Sequence, residues 1–222
     1  MRPKSRTHVL SEARLGAVPK SGNYEVLASS SAELKRKQII EAARVVLARD
    51  GLGGCTARAV ADASPLTKSA IHYYFRDIDE IVDYAVAAHL DAMLTTLREV
   101  AADDAASEQR LCAVVETYLA TFAERPYAAF LWFEYWIAAG RRNATDAVAA
   151  MLAQVQELLE DLLSAAHAAD PATSSRRLHS WLLGTVVQQH VRPLDPGALR
   201  AEIDSFVATL TGPPTTRASE GG

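Results

Sequence analysis

Cysteine is scarce in this 222-residue chain: Cys55 and Cys112 stand alone and far apart. They form neither a C-x-x-C pair nor the dense framework of a small disulfide-stapled domain, so nothing in them argues for zinc or secretion. Both read as small buried thiols. No apolar run approaches the ~18 residues needed to span a bilayer, and the start MRPKSRTHVL lacks the apolar segment of a signal peptide. The expectation is a cytoplasmic protein with no membrane partner. Alternating apolar and polar runs, the mark of half-buried strands, are missing too. So are a nucleophile elbow and a glycine-rich phosphate cradle. His89, His167, His179 and His190 belong to no H-E-x-x-H or paired Glu-x-x-His pattern. The sequence therefore offers no candidate catalytic residue, and neither a metal site nor a cofactor is expected.

Charge is present but unevenly spread. Residues 1–77 carry 13 Lys and Arg against 7 Asp and Glu, whereas residues 78–222 carry 10 against 20. A basic front part can neutralise phosphates and release their counterions, while the acidic remainder is repelled by nucleic acid and must face away from it.

Alanine and leucine recur at helical spacing almost throughout, which predicts an all-α protein. Residues 1–29 and 212–222 mix small, polar and charged residues without periodicity and are read as disordered tails, the first of them basic. A first helix opens at the capping-box spacing Ser30-x-x-Glu33, buries Leu34, Ile39, Ile40, Ala43, Val46 and Leu47, and stops at Gly51. A second runs from Thr56 until Ser64-Pro65-Leu66 interrupts it, because proline has no amide to donate. Thr67 caps a third, which ends near Phe75, and Asp77-x-x-Glu80 launches a fourth toward Val100. Further helices are predicted at 107–124, 126–140, 145–168, 173–191 and 196–210. Residues 30–77 form one predicted domain and residues 78–211 another.

Three short helices, the last two joined by a turn of three or four residues, are the layout of a helix-turn-helix, which places its recognition helix in the major groove. On the third helix Ile71 and Phe75, with Ile78 beyond, share one face, suited to packing against Leu66 and the first helix. Lys68, Ser69, His72 and Tyr73 project from the other, with groups able to contact base edges or phosphates. Thr56 and Thr67 sit at helix starts, where free amides attract phosphate, although both residues also serve as plain N-caps. Arg58 and Tyr74 complete the expected DNA-contacting set.

The stretch TARAVADASPLTKSAIHYYF, from Thr56 to Phe75, and the following RDIDEI resemble the DNA-binding region of TetR-family repressors. In that family a Thr opens the second helix, an apolar-Ala pair sits in its middle, and a Ser/Thr-Lys start leads to an aromatic-rich end closed by Phe. The likeness spans residues 33–82 without a gap. Two positions depart from it. Pro65 stands where the family usually has Gly, so the turn follows a different local path. Ile78 stands where a Lys often clamps a phosphate, leaving that task to Arg76 or the basic tail.

Eight of the 15 aromatic residues fall between 118 and 136: Tyr118, Phe122, Tyr127, Phe130, Trp132, Phe133, Tyr135 and Trp136. Core packing explains any one of them, but as a group they suit an apolar pocket between helices. The expected ligand-binding set is Tyr118, Phe122, Phe130, Phe133, Trp136 and Trp181. The resemblance agrees, since TetR-like regulators hold a small-molecule effector in this region. The segment from Trp132 to Trp136 also resembles a helix of the choline-responsive branch, which implies Glu134 and aromatic faces around a quaternary ammonium. The last two helices are expected to build a homodimer interface through Leu178, Leu182, Thr185, Val186, Gln189, Ile203, Phe206 and Val207, although the same residues suit burial in their own subunit. A two-fold dimer implies a pseudo-palindromic double-stranded operator, and family habit implies repression. The alternatives are a nonspecific architectural DNA-binding protein and a helical adaptor.

Overall fold

The computed structural model describes residues 31–123 and 126–212. Both tails, Ser30 of the first capping box and the side chain of Tyr127 lie outside the described residues. Among the described residues there are nine helices and no strand: α1 (Ser31–Gly54), α2 (Ala57–Asp62), α3 (Lys68–Tyr74), α4 (Ile78–Ala101), α5 (Ser107–Ala123), α6 (Pro126–Arg141), α7 (Thr145–Ala165), α8 (Pro171–Val191) and α9 (Pro196–Thr211).

Local chemistry accounts for the boundaries. The α1 helix loses regular geometry at Gly51, whose φ of 69° lies in the left-handed region that glycine enters freely. Thr56 Oγ1 accepts from the Ala59 amide at 3.1 Å, Thr67 Oγ1 from Ala70 at 3.2 Å, and Asp77 Oδ1 from Glu80 at 2.8 Å. Each satisfies one amide that the first helical turn leaves free. Asp170 caps α8 by accepting from the Thr173 amide at 3.0 Å, and Pro171 occupies the first turn. That is why α8 begins two residues earlier than its periodicity suggests: a first-turn proline loses no hydrogen bond.

Packing follows the apolar stripes. Ile39, Ala43 and Val46 of α1, Val60 of α2, Ile71 and Phe75 at α3, and Ile81, Val82 and Ala85 of α4 are buried in a core that continues into the larger bundle. Leu34 departs from expectation and is 59 % exposed. At about 100° per residue it lies roughly 140° around the helix from Ile39, so it cannot share that face. In the bundle α5 touches α4, α6, α7, α8 and α9, and α7 lies along α8. Cys55 and Cys112 are buried free thiols, and loss of hydration pushes both up to about 11.

Candidate nucleic-acid interface and ligand cavity

The α3 helix offers solvent the side chains expected of it. Thr67, Lys68, Ser69, His72 and Tyr73 are exposed, Tyr73 to 82 %, while Ile71 and Phe75 are buried behind them. Thr56 and Arg58 are exposed at α2, where Arg58 lies 3.9 Å from Asp62. Tyr74 differs: it is half-buried against the core, with the Tyr73 ring edge-on to it at 5.0 Å. Pro65 sits in the exposed connection between α2 and α3, where Ser64 Oγ accepts from the Leu66 amide at 3.1 Å and so stabilises the turn without glycine.

One contributor escaped the sequence reading. Arg36 reaches from α1 to the far end of α3, donates to the Tyr74 carbonyl, lies over the Phe75 ring at 4.0 Å and pairs with Glu80 at 3.5 Å. It joins three helices at the point where the recognition helix ends. No local pattern marks it, because its partners lie 38 and 44 residues away. Arg76, the proposed substitute phosphate clamp, is exposed and pairs with Asp77 at 3.0 Å.

A narrow apolar cavity opens between α4, α5, α6, α7 and α8. Tyr118, Phe122, Trp132, Phe133, Trp136 and His179 supply its rings. Leu90, Met93, Met151 and Val155 supply aliphatic wall. Among the described residues no charged side chain lines it. Burial drives His179 down to about 4, so its imidazole is neutral at ordinary pH. Phe122 and Val186 also border an outer groove between α5 and the start of α9 and so stand between groove and cavity.

Four of the six expected ligand residues, Tyr118, Phe122, Phe133 and Trp136, thus line the cavity, and two do not. Phe130 is exposed and meets the His190 ring edge-on at 4.4 Å, while Trp181 stacks on Phe206 at 4.8 Å. Aromatic density in the sequence could not tell which face each ring occupies. Trp132, named in the aromatic cluster but not in that set of six, lines the cavity as well, and His179 was missed as a wall residue. Glu134 corrects another expectation. It is exposed and turned toward α1, where its carboxylate accepts from the Leu52 amide at 3.3 Å, so it is not a cavity wall and cannot neutralise a cation there.

Residues 39–85 match the model for bacterial regulatory proteins of the tetR family, and residues 105–212 match the C-terminal model of BetI-type transcriptional repressors. The chain belongs to the TetR family. This regulator is 25 % identical over 103 residues to the HTH-type transcriptional regulator PksA of Bacillus subtilis (strain 168), a match covering 46 % of the chain and 50 % of PksA. The chain thus spans about half the length of that relative. Its fold is similar to that of a TetR-family transcriptional regulator from Rhodococcus sp. described as putative, with a TM-score of 0.68 at 16 % identity over 81 % of this chain and 99 % of the other. The fold also resembles the transcriptional regulator FadR from Bacillus subtilis, solved with stearoyl-CoA, with a TM-score of 0.61 at 16 % identity over 77 % of this chain and 96 % of that one.

In this TetR-family regulator α6 faces both ways. Trp132, Phe133 and Trp136 line the cavity, while Tyr135 and Arg142, just past the helix end, fasten to the start of α4. Arg142 reaches Asp79 and Asp83 at 3.1 Å each. Since α4 follows α3 after three residues, the cavity wall and the recognition helix are two steps apart in packing.

Of the eight expected dimer residues, Leu178, Leu182, Thr185, Val186, Ile203 and Val207 are buried within the subunit, whereas Phe206, stacked on Trp181, and Gln189, which accepts from the Leu194 amide at 2.9 Å, are half-buried. Periodicity located an apolar face on each helix, but the subunit's own core claims it. The outward faces carry Ser180, Gly184, Val187 and Val191 on α8 and Ala201, Ser205 and Ala208 on α9.

Proposed function

We propose that this regulator is a homodimeric repressor that binds a pseudo-palindromic operator through residues 31–77 and is released when a small molecule enters the bundle formed by residues 78–211. The observation that carries this reading is the α3 face: Lys68, Ser69, His72 and Tyr73 all stand in solvent on a helix held from behind by Ile71, Phe75 and Arg36. A cation, a hydroxyl, an imidazole and a phenol are free there to meet base edges and phosphates.

Two such helices must reach successive major grooves, about 34 Å apart. A two-fold pairing of α8 and α9 into four helices supplies that arrangement. The outward faces of small and aliphatic residues support it, since small side chains let helices approach closely. Effector release then follows from differential binding: a ligand that fits the cavity only when α6 has moved pulls on α4 through Tyr135 and Arg142 and misplaces α3. The protein acts in the cytoplasm, where its operator is.

The test is a footprint on a candidate operator in the presence of excess random DNA. A protected two-fold site that survives the competitor supports the repressor. Uniform binding that the competitor abolishes would establish an architectural binder instead.

A further inference from the structure

Trp132 and Trp136 lie one turn apart on α6 and both line the cavity. The indole nitrogen of each is buried, and neither has a hydrogen-bond partner among the described residues. A buried donor without an acceptor costs free energy that folding does not recover, and two on one cavity wall are unusual for a site that serves packing alone. A bound molecule that carries acceptors removes that cost.

We propose that the effector of this regulator is an uncharged, largely apolar molecule bearing a hydrogen-bond acceptor such as a ketone or lactone carbonyl, bound by the indole N–H groups of Trp132 and Trp136. The proposal rests on the reading of the cavity as an effector site and narrows it to one ligand chemistry. Three further observations agree. Among the described residues the cavity wall holds no charged side chain to pair with an ionic ligand. Glu134, the acid of the aromatic segment, accepts from the Leu52 amide and is turned away. His179 on the wall is held neutral by burial, so the same surroundings penalise a bound cation. Aromatic faces alone attract a quaternary ammonium, but a desolvated cation here finds no carboxylate among the described wall residues.

The experiment is calorimetric titration of the full chain with methyl ketones from 2-hexanone to 2-dodecanone and with alkyltrimethylammonium ions of matched length. The best ketone is expected to bind at least about tenfold more tightly than the matched ammonium ion, the effect of one well-made hydrogen bond plus the avoided burial of charge. Trp132→Phe and Trp136→Phe remove the donor and leave a smaller aromatic ring in its place. Each is expected to weaken ketone binding about three- to tenfold while leaving the ammonium affinity within about twofold. Melting curves show which variants fold, and the comparison of ketone with ammonium on the unaltered protein needs no variant at all. Ammonium ions binding as tightly as ketones would overturn the proposal. So would unchanged ketone affinity in both folded variants, or no ketone binding by protein that binds its operator. Operator affinity is measured on the same preparation: ketone binding without specific DNA binding would sink the repressor reading and leave the ligand assignment standing.

Discussion

The Tyr135 hydroxyl donates to Asp83 Oδ1 at 3.0 Å, and Arg142 donates to the same oxygen at 3.1 Å. The phenol is pushed up, first by burial and then by the Asp83 charge it faces, so it stays a donor at any physiological pH. Tyr135 stands next to Trp136 of the cavity wall and Asp83 lies two turns or less into α4, so this contact joins the cavity wall to the start of α4. Tyr135→Phe is expected to lower stability by about 1–2 kcal/mol. It is also expected to reduce the ratio of operator affinities without and with effector more than it reduces the affinity itself. Paired anisotropy titrations check this; an unchanged ratio would remove Tyr135 from the coupling.

On the DNA-facing helix, Lys68→Ala and His72→Ala should each weaken operator binding by about 1–3 kcal/mol while the melting temperature stays put, because both side chains stand in solvent. Unchanged affinity in the double variant would displace the recognition face.

Arg36→Ala should weaken operator binding without touching DNA, by freeing the end of α3. Here stability should fall as well, since the guanidinium is only partly exposed and contacts Tyr74, Phe75 and Glu80. Arg36→Lys keeps the charge but not the planar fork, so it is expected to rescue poorly. Full rescue by lysine would reduce Arg36 to a simple surface charge.

For the proposed dimer, Val187→Asp and Ser205→Asp put charge on the outward faces of α8 and α9, and sedimentation should show dissociation with the helical content intact. Leu182→Ala, buried in the subunit, should instead cost about 2–5 kcal/mol of folding stability. A dimer that survives both aspartates would place the interface elsewhere.

Stability should also depend on pH through His179. Its folded value of about 4 lies below the ordinary 6.5, so between those two pH values the unfolded chain binds a proton that the folded one refuses. Stability therefore falls as pH drops from about 6.5 to about 4, by roughly 2–3 kcal/mol from this residue alone. Denaturant melts across that range check the slope, and His179→Phe should flatten it. An equal slope in a folded variant would trace the effect to other groups.

Helix caps, breaks and stripes are local matters, and the chain declares them locally. A hydroxyl or carboxylate two or three residues ahead of a free amide determines where α2, α3, α4 and α8 begin, whatever lies around them. The outward face of α3 was legible for the same reason: Ile71 and Phe75 are four residues apart and fix which side is buried, leaving Lys68, Ser69, His72 and Tyr73 outside. Charge asymmetry and the unbroken spacing from Thr56 to Phe75 then pointed to DNA and to the family. What needed the tertiary structure is which apolar face meets which neighbour. Leu178, Leu182 and Val207 carry the same periodic signal whether a partner or their own subunit covers them, and only the packing assigns them to the subunit. Phe130 and Trp181 are as aromatic as Phe122 and Trp136, yet helix rotation turns them out of the cavity. Arg36 with Tyr74, Glu134 with Leu52 and Tyr135 with Asp83 are pairs 38, 82 and 52 residues apart, and such contacts exist only once the helices have closed on one another.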